Sequence, residues 1–516
     1  MNNNKPILIR AFCIFTIFWA LFIFTTKTYN SGYHFVDDHE IIRINNDLRQ
    51  NGYFRTLNKW IKNDINNIHR FRPSYYLFRI SETYVFKTDF RAWSLFHLSM
   101  AIITSFLFFY FAFKLYQSQF EAYIFTALSL LGTQSAIWWR LGPSEFLGAL
   151  SLSISLFSII KSVTSPKHKI LYQILFIVSS LTMALSKESF LIIIPSLILL
   201  KVYCDIIFKP NNKKVTCTSI LSILSLSIIF VYGILFIKYK IGTMTGIGYA
   251  GVDKSSLLNF ILTFRSILNY ADLKTTILFF IFVTIALPAT NTTNLIKNFW
   301  SILNNNILII VSIVLIFIFQ SFLYAKSGIT VDRYIFPTTV GIGLVAIFML
   351  SYLRKNKFPF WQYVLISGLI IKSLIPLSGI AYANAKLYTN NNAPKIIDRV
   401  TEYIEPANNI YIISDNANYE LAFSIKTFLQ FNKKYSNINI CGLQNINNQN
   451  IYQCKSDLDD PFSLVLANEL SKIDNIILLP DQKEVFFDIS STWFSDKNYR
   501  MEVFDNYIFL TNITPS

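Results

Sequence analysis

Four consecutive residues, Asp37-Asp38-His39-Glu40, concentrate more proton-transfer chemistry than any other stretch of the chain. Adjacent carboxylates repel one another and raise each other's pKa, so such clusters serve metal binding, base catalysis or helix capping. If a helix starts here, Asp37 and Glu40 share a face at i, i+3. The same acids would also stabilise the start of the amphipathic stretch 41–48 through the helix dipole. Cap and site both stay open on these residues alone. The second group is Arg70-Phe71-Arg72-Pro73. Pro73 biases Arg72 toward an extended backbone, in which residues 70 and 72 point the same way. Two adjacent guanidinium groups suit a phosphate through charge-assisted bidentate bonds, or else surface acids or headgroups. The third group lies in short connectors: Arg140 and Glu145 in WWRLGPSE, Lys187 and Glu188 in SKES, and Arg333 and Tyr334 in DRY, with Pro337 just beyond. Each alone reads as an interfacial anchor. Together they predict one outer cavity ringed by both signs of charge.

These residues must be positioned by a mostly apolar chain. Of 516 residues, 53% are hydrophobic and only 15% charged, Phe alone supplies 48, and the mean hydropathy is +0.41. A soluble globule lacks the interior to hide so much apolar surface, and the same composition excludes disorder. Apolar runs fall at 7–24, 92–115, 120–138, 146–160, 170–185, 190–208, 219–237, 275–288, 306–325, 335–353 and 358–380. This predicts a mainly α, polytopic transmembrane bundle of about eleven spans, at roughly 20 residues per span. Lys372 lies inside the last run, where an ionisable residue is a functional candidate or a snorkelling one. Lysine-rich connectors at 161–169, 209–214 and 354–357 all fall on the side of the N-terminus, which the positive-inside rule places in the cytoplasm. The expected domains are residues 1–380, with a long exoplasmic first loop at about 27–91, and an exoplasmic tail, 381–516. In the tail, short β-branched runs at 409–413, 437–440 and 475–479 alternate with helical stretches at 394–404 and 419–431, predicting a small α/β domain. Cys441 and Cys454 lie there and are as consistent with a disulfide as with two buried thiols. The net charge of +16 is read as membrane-flanking and headgroup- or phosphate-facing charge, with no nucleic-acid partner. No nucleotide-binding, zinc-protease or hydrolase signature occurs.

The order and sidedness of these motifs resemble the GT-C superfamily of polytopic glycosyltransferases, which includes protein O-mannosyltransferases and bacterial aminoarabinose transferases. Asp37-Asp38 matches the acidic pair after the first span, Ser186-Lys187-Glu188 the Lys-Glu turn, and Arg333-Tyr334 with Pro337 the late Arg-Tyr-x-x-Pro loop. The pair is Asp-Asp where the mannosyltransferases have Asp-Glu, and there is no clear counterpart of the second DxD of the metal-dependent oligosaccharyltransferases. The resemblance implies a bacterial inner-membrane enzyme that takes a sugar from a polyprenyl-phosphate donor at the exoplasmic face and transfers it, with inversion, to a glycan, lipid or protein hydroxyl. Asp37 or Asp38 would be the base. Arg70, Arg72, Lys187 and Arg333 would hold the donor phosphate. His39, Glu40, Arg140, Glu145, Glu188 and Tyr334 would line the acceptor cavity. No cofactor is required by these features, and a divalent metal is left open. The alternatives are an O-antigen-type polymerase or ligase, which would carry its large loop late in the chain, and a transporter or flippase of lipid-linked glycans, which would show inverted repeats.

Overall fold

The computed structural model describes residues 4–35, 37–68, 70–208, 217–241, 257–286, 292–327, 332–356, 358–390, 393–404, 409–414, 419–446, 449–455, 463–466, 475–479, 499–504 and 507–512. The chain forms two compact units. One contains residues 1–29, 57–80 and 93–388, and the other 30–56, 81–92 and 389–516. The first loop, expected to belong with the spans, is instead shared out. Residues 30–56 and 81–92 join the tail.

The first unit is helical. Among the described residues, nine helical segments are long and apolar enough to cross a membrane. Two of the expected spans are shorter. Run 120–138 forms the 12-residue helix Gln119–Leu130 followed by a 3-10 turn, Thr133–Trp138, and run 170–185 forms the 16-residue helix Lys169–Ala184. At 1.5 Å per residue these extend about 18 and 24 Å, less than a ~30 Å hydrocarbon core. The run at 275–288 is the second half of a longer broken segment. Helices Leu257–Asn269 and Leu273–Ile281 meet at Ala271 and Asp272, both with positive φ. Asn259, Arg265 and Asn269 had broken the apolar pattern of its first half.

Close helix packing depends on small residues and on hydrogen bonds between helices, since lipid offers no hydrophobic drive for association. Thr339 donates to the Ser129 carbonyl at 3.0 Å, Ser312 to that of Ser196 at 2.9 Å, and Gln320 to that of Ser189 at 2.6 Å. Gly148 admits the Phe190 ring, which lies 2.3 Å from where a Cβ would stand. Lys372 is exposed on helix Phe360–Thr389 and takes no place in the bundle interior.

The second unit carries a seven-stranded sheet of β1 (Ile410–Ser414), β2 (Ile438–Ile446), β3 (Gln449–Lys455), β4 (Ser463–Leu466), β5 (Asn475–Leu478), β6 (Tyr499–Phe504) and β7 (Tyr507–Asn512), in the order β4-β3-β2-β1-β5-β7-β6. β1 pairs in parallel with β2 and β5, and the other neighbours are antiparallel. The three central strands are those the sequence predicts. β1 and β5 read as near-continuous apolar runs and are largely buried, whereas flanking β3 and β6 mix in polar residues that hide the signal; the buried apolar run 507–510 of β7 had not been marked. Helices Ala393–Tyr403 and Tyr419–Asn432 lie where expected, with Pro394 in the first turn of the former. Helix His39–Asn51 packs on Tyr419–Asn432, and Tyr33 stacks on Phe428 at 3.7 Å. Cys441 is disulfide-bonded and stands opposite Cys454 in the β2–β3 register.

Two glycines make a direct test of the packing. Gly148→Ala should destabilise the protein by about 1–3 kcal/mol through overpacking against Phe190. Gly368→Ala, where nothing lies within 4 Å, should be neutral or stabilising by up to ~1 kcal/mol. Thermal unfolding of the two purified variants in one detergent checks both.

Candidate functional site

The first unit gathers charge from segments far apart in sequence. Helix Tyr53–Asn66 ends close to Asp64, and helix Pro73–Phe86 runs back beside it, with Tyr76 against Trp60. This return delivers Arg72 to Asp64. Arg72 Nη2 lies 2.6 Å and Nε 3.2 Å from Asp64 Oδ1, and the Arg72 amide donates to Oδ2 at 3.1 Å. The Tyr76 hydroxyl donates to the same carboxylate at 3.3 Å. The guanidinium also sits 5.1 Å from the Tyr75 ring centroid and 5.4 Å from that of Tyr76. Arg72 and Asp64 are both buried. Arg70 lies 3.8 Å from Glu188, a longer and looser pairing, and Glu188 accepts the Phe71 amide at 3.3 Å.

The Lys187 ammonium donates to the Glu145 carboxylate and lies 4.2 Å from the Tyr334 ring centroid. Both charges are almost wholly buried. Glu145 opens helix Glu145–Thr164, and Lys187 is extended just before helix Glu188–Leu191. The Ser74 amide bonds the Leu185 carbonyl at 3.1 Å, which ties the start of helix Pro73–Phe86 to the Lys187 turn. Arg79 donates to the Leu141 carbonyl and stands 4.9 Å from the Trp93 ring centroid, while Tyr75 donates to the Gly142 carbonyl at 3.1 Å. So the structure brings together Arg70, Arg72, Glu145, Lys187, Glu188 and Tyr334. Arg140 joins none of these ion pairs among the described residues, and its guanidinium stands 5.9 Å from the Tyr388 ring centroid. The Arg333 side chain lies outside the described residues.

Asp37, Asp38, His39 and Glu40 belong to the second unit. Helix His39–Asn51 begins here, and the Asp37 and Asp38 carbonyls accept the Glu40 and Ile41 amides at 3.4 and 3.1 Å. The two neighbours then diverge. Asp38 is buried, accepts the His34 amide at 2.9 Å and lies 3.5 Å from His34 Nδ1. His39 is also buried, with Nδ1 2.9 Å from Ser424 Oγ and its ring 5.4 Å from that of Phe423. Asp37 has φ 70°, a left-handed conformation uncommon outside glycine. Its amide donates to Glu420 at 3.3 Å. Desolvation by the surrounding protein, although the Glu420 side chain is exposed in part, and then the charge of Asp37, raise the Glu420 carboxyl above the usual carboxylate range.

The sequence had not marked Asp64, Arg79 or Glu420. Asp64 was one acid in a polar helix, and Glu420 one in a distant segment. Only chain reversal sets the first against Arg72 and only tertiary packing sets the second beside Asp37. Among the described residues, no three His, Cys, Asp or Glu side chains converge as a metal centre requires. No protein-family model matches the chain, and no curated protein matches it significantly.

Asp64→Asn should leave the buried Arg72 without its counter-charge and cost about 3–5 kcal/mol. Glu402→Gln, which breaks an exposed pair with Arg399, should cost less than ~1 kcal/mol. Unfolding midpoints of the two variants compare them. A raised Glu420 contributes stability that is complete below the ordinary glutamate range and is lost as pH rises through its raised value. Glu420→Gln should therefore remove part of the fall in Tm between about pH 4 and pH 7, read by differential scanning fluorimetry.

Proposed function

We propose that this chain is a polytopic membrane glycosyltransferase that moves a sugar from a polyprenyl-phosphate donor to an acceptor hydroxyl at the exoplasmic face of a bacterial cell membrane. The observation that carries this reading is the gathering of Arg70, Arg72, Lys187, Glu145, Glu188 and Tyr334, from four separate sequence segments, on an otherwise apolar helical unit. Apolar membrane-length helices suit a long prenyl tail, and a compact set of cations and hydrogen-bonding groups suits the phosphate and sugar it carries. In this reading the N-terminus is cytoplasmic and the second unit exoplasmic.

The geometry ranks the cations. Arg72 is committed to Asp64 by two side-chain bonds and is a scaffold for the group. Arg70, whose carboxylate partner is 3.8 Å away, exchanges that partner for a phosphate at lower cost. Lys187 follows, because Glu145 holds it closely. Arg333 completes the set implied by the family resemblance.

The reaction needs a base, and Asp37 is the better of the two aspartates for that role. Asp38 is buried against His34, whereas Asp37 is half-buried beside a glutamate that holds its proton to higher pH. Asp37 takes the proton of the acceptor hydroxyl, and the oxygen forms its bond to the anomeric carbon. The bond from that carbon to the phosphate oxygen breaks on the opposite side, and polyprenyl phosphate leaves with the electron pair. Fixed positive charge stabilises the phosphate as its charge develops.

Purified protein should consume a polyprenyl-phosphate sugar and leave the matching nucleotide sugar untouched. Asp37→Asn should lower kcat by ~10²–10⁴-fold, with donor binding retained. Arg70→Ala should raise KM for the donor. Robust turnover of the nucleotide sugar alone, or full activity of a folded Asp37→Asn variant, would overturn the reading.

A further inference from the structure

The far end of the helical unit holds a second concentration of positive charge, of a different kind. Helix Phe90–Tyr116 carries Trp93 beside Arg79 near one end and Lys114 near the other. Helix Glu145–Thr164 likewise carries Glu145 in the first charge group and Lys161 in its last turn. At 1.5 Å per residue, about 31 Å separate Trp93 from Lys114 along the first helix, and about 24 Å separate Glu145 from Lys161 along the second. Lys114 and Lys161 therefore mark the end of the unit opposite the Asp64–Lys187 group.

The two lysines share one aromatic ring. Lys114 Nζ lies 5.8 Å and Lys161 Nζ 5.3 Å from the Tyr110 ring centroid. Phe113 stands 5.7 Å from Lys114, Phe157 stands 5.7 Å from Lys161, and Tyr172 packs on Phe157 at 6.1 Å. Both lysines are half-buried. A flanking lysine ordinarily snorkels alone into water. Here two ammoniums lie close enough for their charges to repel. Among the described residues neither has a carboxylate partner, and two acids at this end are taken by other cations, Glu121 by Arg354 at 2.8 Å and Asp205 by Lys201 at 2.6 Å. The connectors 165–169 and 209–216 contain Lys167, Lys169, Lys209, Lys213 and Lys214 and no Asp or Glu. Aromatic faces offset some of this repulsion, and a bound anion would remove it.

We propose that Lys114 and Lys161, set over Tyr110 and Phe157, form a binding site for a phosphate-bearing anion at this end of the unit. The surroundings favour a phospholipid headgroup as its source. The adjacent helix Lys169–Ala184 exposes Ile170, Leu171, Ile174 and Val178, an apolar strip along which acyl chains can lie. Basic sites between membrane helices recognise anionic headgroups by this combination of charge and apolar surface. The site is independent of the transfer reaction and requires none of its residues.

The test uses the full-length chain in nanodiscs of phosphatidylcholine doped with phosphatidylglycerol, with retained lipid counted by native mass spectrometry. Wild type should retain phosphatidylglycerol in preference to phosphatidylcholine. The double variant Lys114→Gln/Lys161→Gln should weaken that preference roughly 10- to 30-fold, at about 1 kcal/mol per lysine. Lys114→Arg/Lys161→Arg should keep it, since charge and stacking are preserved. A second arm titrates inorganic phosphate against the protein in neutral detergent. Phosphate binding that the Gln variant abolishes, without any lipid preference, supports the site and identifies a free anion as its ligand. Should the Gln variant fail to fold, the salt dependence of lipid retention by the wild type decides. A preference that high salt removes supports the site, and one that salt leaves intact overturns it. Equal retention of both lipids together with no phosphate binding by the wild type, or a Gln variant that behaves as wild type in both arms, also overturns it.

Discussion

A charge buried in an apolar bundle has to meet its opposite, and that constraint organises the helical unit. Arg72 with Asp64 and Lys187 with Glu145 are both removed from water. The effective cost of stripping either ion of its water is several kcal/mol, which only close geometry and further hydrogen bonds offset. Those bonds come from Tyr76 and the Arg72 amide on one pair, and an aromatic face on the other. Because Arg72 meets Asp64 across a chain reversal and Lys187 meets Glu145 from a different helix, satisfying the charges also fixes where the helix ends meet. The polar ends and the packing of the bundle are thus one problem with one solution.

The aromatic residues complete that solution. Tyr75 and Tyr76 flank Arg72, Tyr75 and Trp93 flank Arg79, and Tyr334 covers Lys187. A guanidinium or ammonium against a ring face keeps part of its electrostatic stabilisation while giving up water. With 16% aromatic residues, the chain has these faces at hand wherever a cation enters the bundle. The same device recurs at Lys114 and Lys161, but without acids, and the contrast separates a self-satisfied polar group from one that invites an anion.

The acidic tetrad shows how adjacent residues acquire different roles. One left-handed residue, Asp37, precedes the helix and turns successive side chains in different directions. Asp38 and His39 are absorbed into the folded interior by His34, Ser424 and Phe35, and Asp37 is set beside Glu420. Capping and site chemistry were alternatives for the tetrad as a whole. In the fold the backbone carbonyls of Asp37 and Asp38 close the first turn, and the Asp37 amide donates to the Glu420 carboxylate.

What the sequence by itself determined is whatever depends on local pattern. Long apolar runs name the membrane-length helices, and short β-branched runs name β1, β2 and β5, most plainly in β1 and β5, where burial leaves a near-unbroken apolar signal. The shortening of helices Gln119–Leu130 and Lys169–Ala184 was not legible, since hydropathy does not see where a backbone stops being helical. Neither were β3 and β6, whose mixed composition resembles loops, while the apolar run of β7 was present and went unmarked. The candidate residues were legible as types: arginines, lysines and carboxylates in turns. Their partners were not, because Asp64 meets Arg72 through a chain reversal and Glu420 meets Asp37 across 383 positions. Pairing is a property of distance in space. Only the tertiary structure decided which charges face one another, and so which were spent on holding the fold.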